Sequence, residues 1–125
     1  VSMRPPAPPT STTIAAPLAA TLAPKGGGAV TLVWQPEVRR LTALAPELPL
    51  SAGHDYELWV LPKQGKSRSL GLLKAGANRQ LVMSADVAAQ LGPDAIVAIS
   101  LEPTGGSPTG QATGPVIAVG KISAS

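Results

Sequence analysis

The segment DYELWVL, residues 55–61, decides the fold of this chain. Side chains alternate across an extended strand, so Tyr56 and Leu58 point to one face, whereas Trp59 and Leu61 point to the other. A strand that is apolar on both faces is typical of the middle of a sheet whose two faces are covered. The segment therefore predicts a central, buried β-strand.

Other short apolar segments surround this one and are separated by turns rich in Gly and Pro. They are AVTLVWQ (29–35), RRLTALA (39–45), RSLGLLK (68–74), RQLVM (79–83), AIVAISLE (95–102) and PVIAVGKI (115–122). A further segment, IAAPLAATLAP (14–24), predicts an edge strand, because Pro17 cannot donate a hydrogen bond to a neighbouring strand.

One segment has a helical pattern, SADVAAQLGPD (84–94). Ser84 fits the N-cap, Gly92 fits the position after the last turn, and Pro93 ends the helix. With about eight short strands and one short helix, the chain is predicted to be all-β. We expect an antiparallel β-sandwich, immunoglobulin-like or related.

The length of 125 residues indicates one domain, with an apolar fraction of 44%. Phe is absent, so the core is expected to be aliphatic, and its aromatic residues would be Trp34, Tyr56 and Trp59. Burying one indole removes about 200 Å² from water, which is on the order of 5 kcal/mol before opposing terms. For this reason we assign both tryptophans to the core rather than to a ligand platform.

The N-terminal segment RPPAPPTSTT, residues 4–13, favours extended polyproline geometry. We interpret residues 1–13 as a Pro-rich stalk or linker and residues 14–125 as the folded domain. A disordered leader is the other interpretation of the same composition. The stalk positions of interest are Arg4, Pro5, Pro6, Pro8 and Pro9.

Charge and composition exclude several classes of protein. The net charge of +3 is small, and the cluster Lys63, Lys66 and Arg68 is typical of a solvated hairpin tip, so no nucleic-acid partner is expected. The absence of Cys excludes disulfides and Cys-based metal sites. No apolar run approaches the ~18 residues of a membrane span, and no signal peptide pattern is present.

Catalytic residues are scarce. His54 is the only histidine, and Asp55 beside it would point to the opposite face of a strand. We therefore predict no catalytic residue, no cofactor and no metal site, and hence no enzyme. A hydrolase built around His54 stays open as an alternative, since Asp86 or Asp94 could approach it from elsewhere in the fold.

The segment SLEPTGGSPTGQATGPV, residues 100–116, predicts a long connection between two strands. Pro103 would end the first strand, and Gly105 with Gly106 would form a turn. Two interpretations stay open: an ordered structural loop, or a recognition surface on a rigid scaffold. If Glu102 is buried, it should anchor the loop through backbone N–H groups. The residues of a recognition surface would be Glu102, Thr104, Ser107 and Thr109.

Three segments in this order, YELWVL (56–61), SLGLL (69–73) and AISLEPTGGSPTGQATGPVIAVG (98–120), carry a family resemblance. The chain resembles the extracytoplasmic C-terminal domain of bacterial anti-sigma-K factors, the RskA-like family. The resemblance runs from about Leu18 to Ile122.

The resemblance implies a membrane-anchored protein whose cytoplasmic N-terminal domain, often zinc-binding, holds an extracytoplasmic-function sigma factor. One transmembrane helix would follow, then this domain on the extracytoplasmic or periplasmic face, and proteolysis would release the sigma factor. The cytoplasmic domain and the helix are absent from this chain, so contact with sigma would occur only through that missing domain.

On this resemblance, the expected partners of the present domain are signalling or protease proteins of the cell envelope. The stalk would hold the domain away from the bilayer and stay accessible to proteases. The alternative function is a ligand-binding β-sandwich that senses a small molecule or glycan. A concave pocket with an exposed Trp or Tyr would favour that alternative.

Overall fold

The computed structural model describes residues 17–124, so the stalk predicted at residues 1–13 lies outside the described residues. The strands are β1 (Leu18–Leu22), β2 (Val30–Gln35), β3 (Arg40–Leu44), β4 (His54–Leu61), β5 (Arg68–Leu73), β6 (Asn78–Val82), β7 (Ile96–Pro103), β8 (Val116–Lys121) and β9 (Ser123–Ala124). A 3-10 turn at Pro36–Val38 joins β2 to β3, and helix α1 (Ala85–Ala88) lies between β6 and β7.

The strands form two antiparallel sheets, so the predicted all-β sandwich is confirmed. Their orders are β6-β3-β2-β1-β9 and β5-β4-β7-β8. The described part of the chain has nine strands rather than about eight, because two residues near the C-terminus form β9. Strand β4 lies between β5 and β7 and is buried from Tyr56 to Val60, as its two apolar faces predicted.

The prediction of an edge strand at residues 14–24 was wrong. Strand β1 begins at Leu18, after Pro17, and lies between β2 and β9. The C-terminal segment turns back so that Ser123 pairs with Ala19 and Ala124 with Leu18. Pro17 precedes the strand, so its missing N–H interrupts no ladder.

The core lies between the two sheets and is almost entirely aliphatic, with Trp34 and Tyr56 inside it. The Tyr56 hydroxyl donates to the carbonyl oxygen of Pro49 at 2.6 Å, which satisfies its polar end. Trp59 is also buried, with 1% of its surface exposed, but it lies outside this cluster. It points to the opposite face of β4, away from the space between the sheets.

Helix α1 is shorter than the pattern over residues 84–94 suggested. It begins as predicted, since the Ser84 side chain accepts a hydrogen bond from the Val87 N–H at 3.3 Å. The regular helix ends at Ala88, and the next residues continue as tighter turns in which the Gln90 N–H donates to Val87 and the Leu91 N–H donates to Ala88. Within residues 17–124, no helix has the length and apolarity needed to cross a bilayer.

The strands run between two ends of the sandwich, a distal end and a proximal end. At the distal end, the β3–β4 connection contacts the β1–β2 turn, where a Cβ on Gly28 would lie 2.5 Å from the Glu47 carbonyl oxygen. At the proximal end, where β1 begins, Met83 N–H donates to Arg39 and Asp94 N–H donates to Ile122. The connection between β7 and β8 leaves from the distal end, since Pro103 pairs with His54 at the start of β4.

Candidate functional site

The connection between β7 and β8, residues 104–115, is called the β7–β8 loop here. Three carboxylates beneath it come from two neighbouring strands. Alternation along the strands places Asp55 and Glu57 of β4 on the face away from the core, and Glu102 of β7 lies directly opposite Asp55 in the ladder. The three side chains therefore share one face of the sheet β5-β4-β7-β8.

Glu102 makes the largest number of contacts to this loop and is fully buried, with 0% of its surface exposed. One carboxylate oxygen accepts from the Thr113 hydroxyl at 2.6 Å and from the Thr113 N–H at 3.1 Å. The other accepts from the Gly114 N–H at 3.2 Å and from the Ser100 hydroxyl at 2.5 Å. A buried carboxylate with this many donors holds the C-terminal half of the loop against β7.

The other two carboxylates hold the first half of the loop. Asp55 accepts from the Gly105 N–H at 2.8 Å, and Glu57 accepts from the Ser107 N–H at 2.7 Å. Glu57 is itself nearly buried and accepts a further hydrogen bond from the Ser69 hydroxyl at 2.5 Å. Between residues 17 and 124 the single ion pair joins Lys121 to Asp94, so backbone and hydroxyl dipoles, not cations, stabilise these three carboxylates.

The loop is also attached to the β4–β5 connection. Gln111 accepts from the Ser67 hydroxyl at 3.0 Å through its side-chain oxygen, and its side-chain NH₂ donates to the Ser67 carbonyl oxygen at 3.0 Å. Inside the loop, the hydroxyls of Ser107 and Thr109 both donate to the carbonyl oxygen of Gln111. Thr104 is exposed and takes part in none of these bonds.

Backbone packing fixes the end of the loop at Gly114. A Cβ at this position would lie 1.7 Å from the carbonyl oxygen of Leu101, so only glycine fits there. The neighbouring Leu101 N–H donates to the Pro115 carbonyl oxygen at 3.0 Å. Between residues 104 and 115 the chain therefore has the contacts of an ordered structural loop. The second interpretation, a recognition surface, concerns which other molecule the exposed side of the loop contacts.

Trp59 is connected to the loop through two polar side chains. Its indole N–H donates to the Ser100 hydroxyl at 2.8 Å, and that hydroxyl donates onward to Glu102. The chain of bonds runs from the buried indole to the carboxylate that holds Thr113. Trp59 therefore stabilises the loop and its supporting sheet rather than the space between the sheets.

Two opposing effects set the pKa of Glu102. Burial raises it, and hydrogen bonds from the Ser100 and Thr113 hydroxyls and from the N–H groups of Gly114 and Thr113 lower it. The net result is a pKa below the ordinary value of 4.5. The ionised carboxylate therefore stabilises the folded state above pH 4.5, and this stability is lost as the pH falls through the lower pKa of the folded protein.

We expect the free energy of unfolding to fall below pH 4.5 more steeply in the wild-type protein than in Glu102→Gln, which has no carboxyl to protonate at this position. Urea titrations at a series of pH values measure this difference. The matched control is Glu47→Gln, because Glu47 is an exposed carboxyl of the same end of the molecule. Parallel pH profiles for wild type and Glu102→Gln would contradict the assignment.

An apolar cavity of about 310 Å³ lies beside the loop, open to solvent. Its lining includes Trp59, Leu61, Ala98, Ala112, Val116 and Val119. The alternative of a ligand-sensing sandwich would be favoured by an exposed aromatic residue in a concave pocket, but Trp59 and Tyr56 are both buried. The residues that the structure describes thus give no specific support to that alternative.

The surroundings of His54 bear on the enzyme alternative. The residue is exposed at the start of β4, and its Nδ1 lies 3.0 Å from the backbone oxygen of Ala52. Asp55 is directed to Gly105 instead, and Asp94 pairs with Lys121. Over residues 17–124 there is also no group of three His, Asp or Glu side chains placed to hold a metal ion.

The sequence pointed to Glu102 as an anchor but missed Asp55, Glu57 and Gln111. A signal for two of them was present, since DYELW places Asp55, Glu57 and Trp59 on one face of a strand predicted to be buried. Buried carboxylates require donors, so a long segment with many free N–H groups had to cover that face. Nothing in the sequence identified Gln111 as the contact to Ser67, because that contact depends on the path of the loop.

Comparison with known protein families gives one match, which covers residues 1–116 and is described as anti-sigma-K factor RskA, C-terminal. No curated protein and no solved structure matches the chain significantly. The matched range begins earlier and ends earlier than the resemblance seen between Leu18 and Ile122, and it includes the long β7–β8 loop. Because the match spans most of the sequence, the chain belongs to the family of C-terminal domains of RskA anti-sigma-K factors.

Proposed function

We propose that this domain is the extracytoplasmic regulatory part of a membrane-anchored anti-sigma factor. In this proposal the domain controls the proteolytic release of an extracytoplasmic-function sigma factor, and hence transcription. The observation that carries the proposal is the family match over residues 1–116, which includes the Pro-rich segment together with the domain. The sigma factor itself would be bound by a cytoplasmic domain outside this chain.

The contacts of the β7–β8 loop support a role through protein contacts rather than chemistry. The carboxylates beneath it accept hydrogen bonds from its backbone N–H groups, and the buried Glu102 is inaccessible to a substrate. The outward positions Thr104 and Thr109 are exposed, while Ser107 is half-buried and bonded within the loop. A rigid loop with exposed hydroxyls can present a fixed surface to a signalling or protease protein of the cell envelope.

The gating step of the proposal concerns the stalk, residues 1–13. The folded domain would limit access of proteases to Arg4, Pro5, Pro6, Pro8 and Pro9 until a partner or stress disturbs it. We expect faster cleavage of the stalk when residues 14–125 are deleted from the full-length membrane protein than when the domain is intact. Immunoblots of the stalk fragment, together with a reporter driven by the cognate sigma factor, measure both consequences.

A destabilised but full-length variant serves as the second arm of this experiment. Glu102→Ala should accelerate stalk cleavage, as the deletion does, if the folded state of the domain controls cleavage, whereas Glu47→Ala, at an exposed position outside the loop, should behave like wild type. Equal rates of stalk cleavage in the intact and the domain-deleted protein would rule out the gate.

A further inference from the structure

Charge is distributed unevenly between the two ends of the sandwich. The basic residues at the proximal end are Arg39, Arg40, Lys63, Lys66, Arg68 and Lys121. The acidic residues there are Glu37, Asp86 and Asp94, and Asp94 is paired with Lys121 at 4.0 Å. At the distal end the balance is reversed, with Glu47, Asp55, Glu57 and Glu102 against Lys25, Lys74 and Arg79. The proximal end is therefore the positive end of the described domain.

Three exposed apolar side chains lie at the same end, whereas Leu50, Val116 and Val119 are exposed elsewhere on the domain. Val38 in the 3-10 turn is 48% exposed, Val82 at the end of β6 is 70% exposed, and Leu61 at the end of β4 is 39% exposed. Each lies close to a basic residue: Val38 is beside Arg39, Val82 pairs with Arg40 in the ladder, and Leu61 is two positions before Lys63. Basic and apolar side chains at one end of a domain can bind an anionic bilayer through attraction to headgroups and shallow insertion.

We propose that the proximal end docks on the surface of an anionic phospholipid bilayer. Two features favour a bilayer as the partner of this end. Its positive charge complements anionic headgroups, and β1 begins here, so the chain enters the domain at this end. The direction of docking rests on the proposed membrane anchor upstream of the domain, which would hold this end towards the bilayer. Tethering would raise the effective concentration of the surface, so a weak intrinsic affinity suffices.

Docking of this end has a consequence for the distal end. The β7–β8 loop leaves the sheet at the distal end and runs along its outer face as far as Ser67 in the β4–β5 connection. Its first residues, Thr104 and Gly105, lie at the distal end and would face away from the membrane. The exposed hydroxyl of Thr104 would then be accessible to proteins of the cell envelope.

Sedimentation of the whole 125-residue chain with large vesicles tests the docking. We expect binding to phosphatidylglycerol vesicles at low salt, little binding to phosphatidylcholine vesicles, and loss of binding as salt screens the charges. No binding to phosphatidylglycerol at low salt would overturn the proposal. Equal binding to both vesicle types would overturn it too, because the basic residues would then not be the cause.

Two matched variants distinguish the effect of where the basic residues lie from the effect of net charge on vesicle binding. Lys63→Glu with Lys66→Glu changes the proximal end, and Lys25→Glu with Lys74→Glu makes the same change at the distal end. All four lysines are exposed, so both variants should keep the thermal stability of wild type. The proximal variant should lose at least about tenfold in affinity for phosphatidylglycerol vesicles, and the distal variant less than about threefold. Similar losses in both would show a response to net charge alone and refute a specific docking end.

Single labels report the orientation, because the chain contains no Cys of its own. An environment-sensitive fluorophore on Val38→Cys should shift its emission when phosphatidylglycerol vesicles are added, whereas one on Leu50→Cys, at the distal end and 88% exposed, should not. A shift at Leu50→Cys alone would reverse the orientation and refute the proposal. If vesicle binding fails but domain deletion still accelerates stalk cleavage, only the docking proposal is wrong. If the chain binds vesicles but domain deletion does not change stalk cleavage, the proposed control of cleavage is wrong and the docking proposal stands.

Discussion

Trp59→Ala is expected to destabilise the domain by about 3–5 kcal/mol, because it removes a buried indole and leaves a cavity. The substitution also takes away the donor to the Ser100 hydroxyl, whose own bond orients Glu102. For a domain of this size the loss corresponds to a melting temperature about 10 °C lower or more, measurable by circular dichroism. A Trp59→Ala protein that melts within a few degrees of wild type would show that the indole is not a major source of stability.

The control for this prediction is Trp34→Ala, since Trp34 is equally buried but lies in the core between the sheets. Both substitutions should lower the free energy of unfolding. Only Trp59→Ala should also accelerate amide hydrogen exchange at Thr113 and Gly114, whose N–H groups bond to Glu102. Equal acceleration in both variants would mean that the loop responds to global stability and not to the bonds beneath it.

Glu102→Ala is the second substitution with a large expected effect. It removes the carboxylate that accepts from the half-buried Gly114 N–H and from the N–H and hydroxyl of Thr113. Hydrogen bonds to a charged group contribute about 1.5–3 kcal/mol each, so we expect a total loss of roughly 3 kcal/mol or more in chemical denaturation. The loop should also become sensitive to limited proteolysis between residues 104 and 115, since its main attachment is gone.

Asp55→Asn is the matched control, because Asp55 accepts one backbone N–H and is half-buried. We expect a loss of about 1 kcal/mol or less for this change, with the amide oxygen still able to accept from Gly105. If Glu102→Ala and Asp55→Asn destabilised the domain equally, burial of the carboxylate would not be the reason for its importance.

The fold was largely predictable from the sequence because it depends on local patterns. The two apolar faces of β4 identified a central strand, and the alternation in residues 29–35 placed Val30, Leu32 and Trp34 on the buried face of β2. The position of β1 was not predictable, since its neighbour β9 consists of Ser123 and Ala124, which have no strand pattern of their own. Pairing between the two ends of a chain is decided by tertiary structure and not by local composition.

The site was predictable only in part, for a related reason. Glu102 stood out as the one charge at the start of a long polar segment. Its predicted role as an anchor depended on its burial, which only the structure shows. The location of Trp59 was not predictable from its apolarity. An apolar side chain can be buried between the two sheets, or it can be buried on the outer face of a sheet beneath a loop. The number of carboxylates beneath the loop depended on the path of residues 104–115 across that face.

The hydrogen bonds of the β7–β8 loop join residues that are far apart in the sequence, and this separation constrains the order of folding. Gly105 and Ser107 bind carboxylates that lie 50 positions earlier in the chain, and Gln111 binds a residue 44 positions earlier. Contacts between such distant positions close large loops and form slowly, so strands β4 and β7 must be aligned before this segment finds its partners. Until then, the indole of Trp59 lies on a face of the sheet that residues 104–115 do not yet cover.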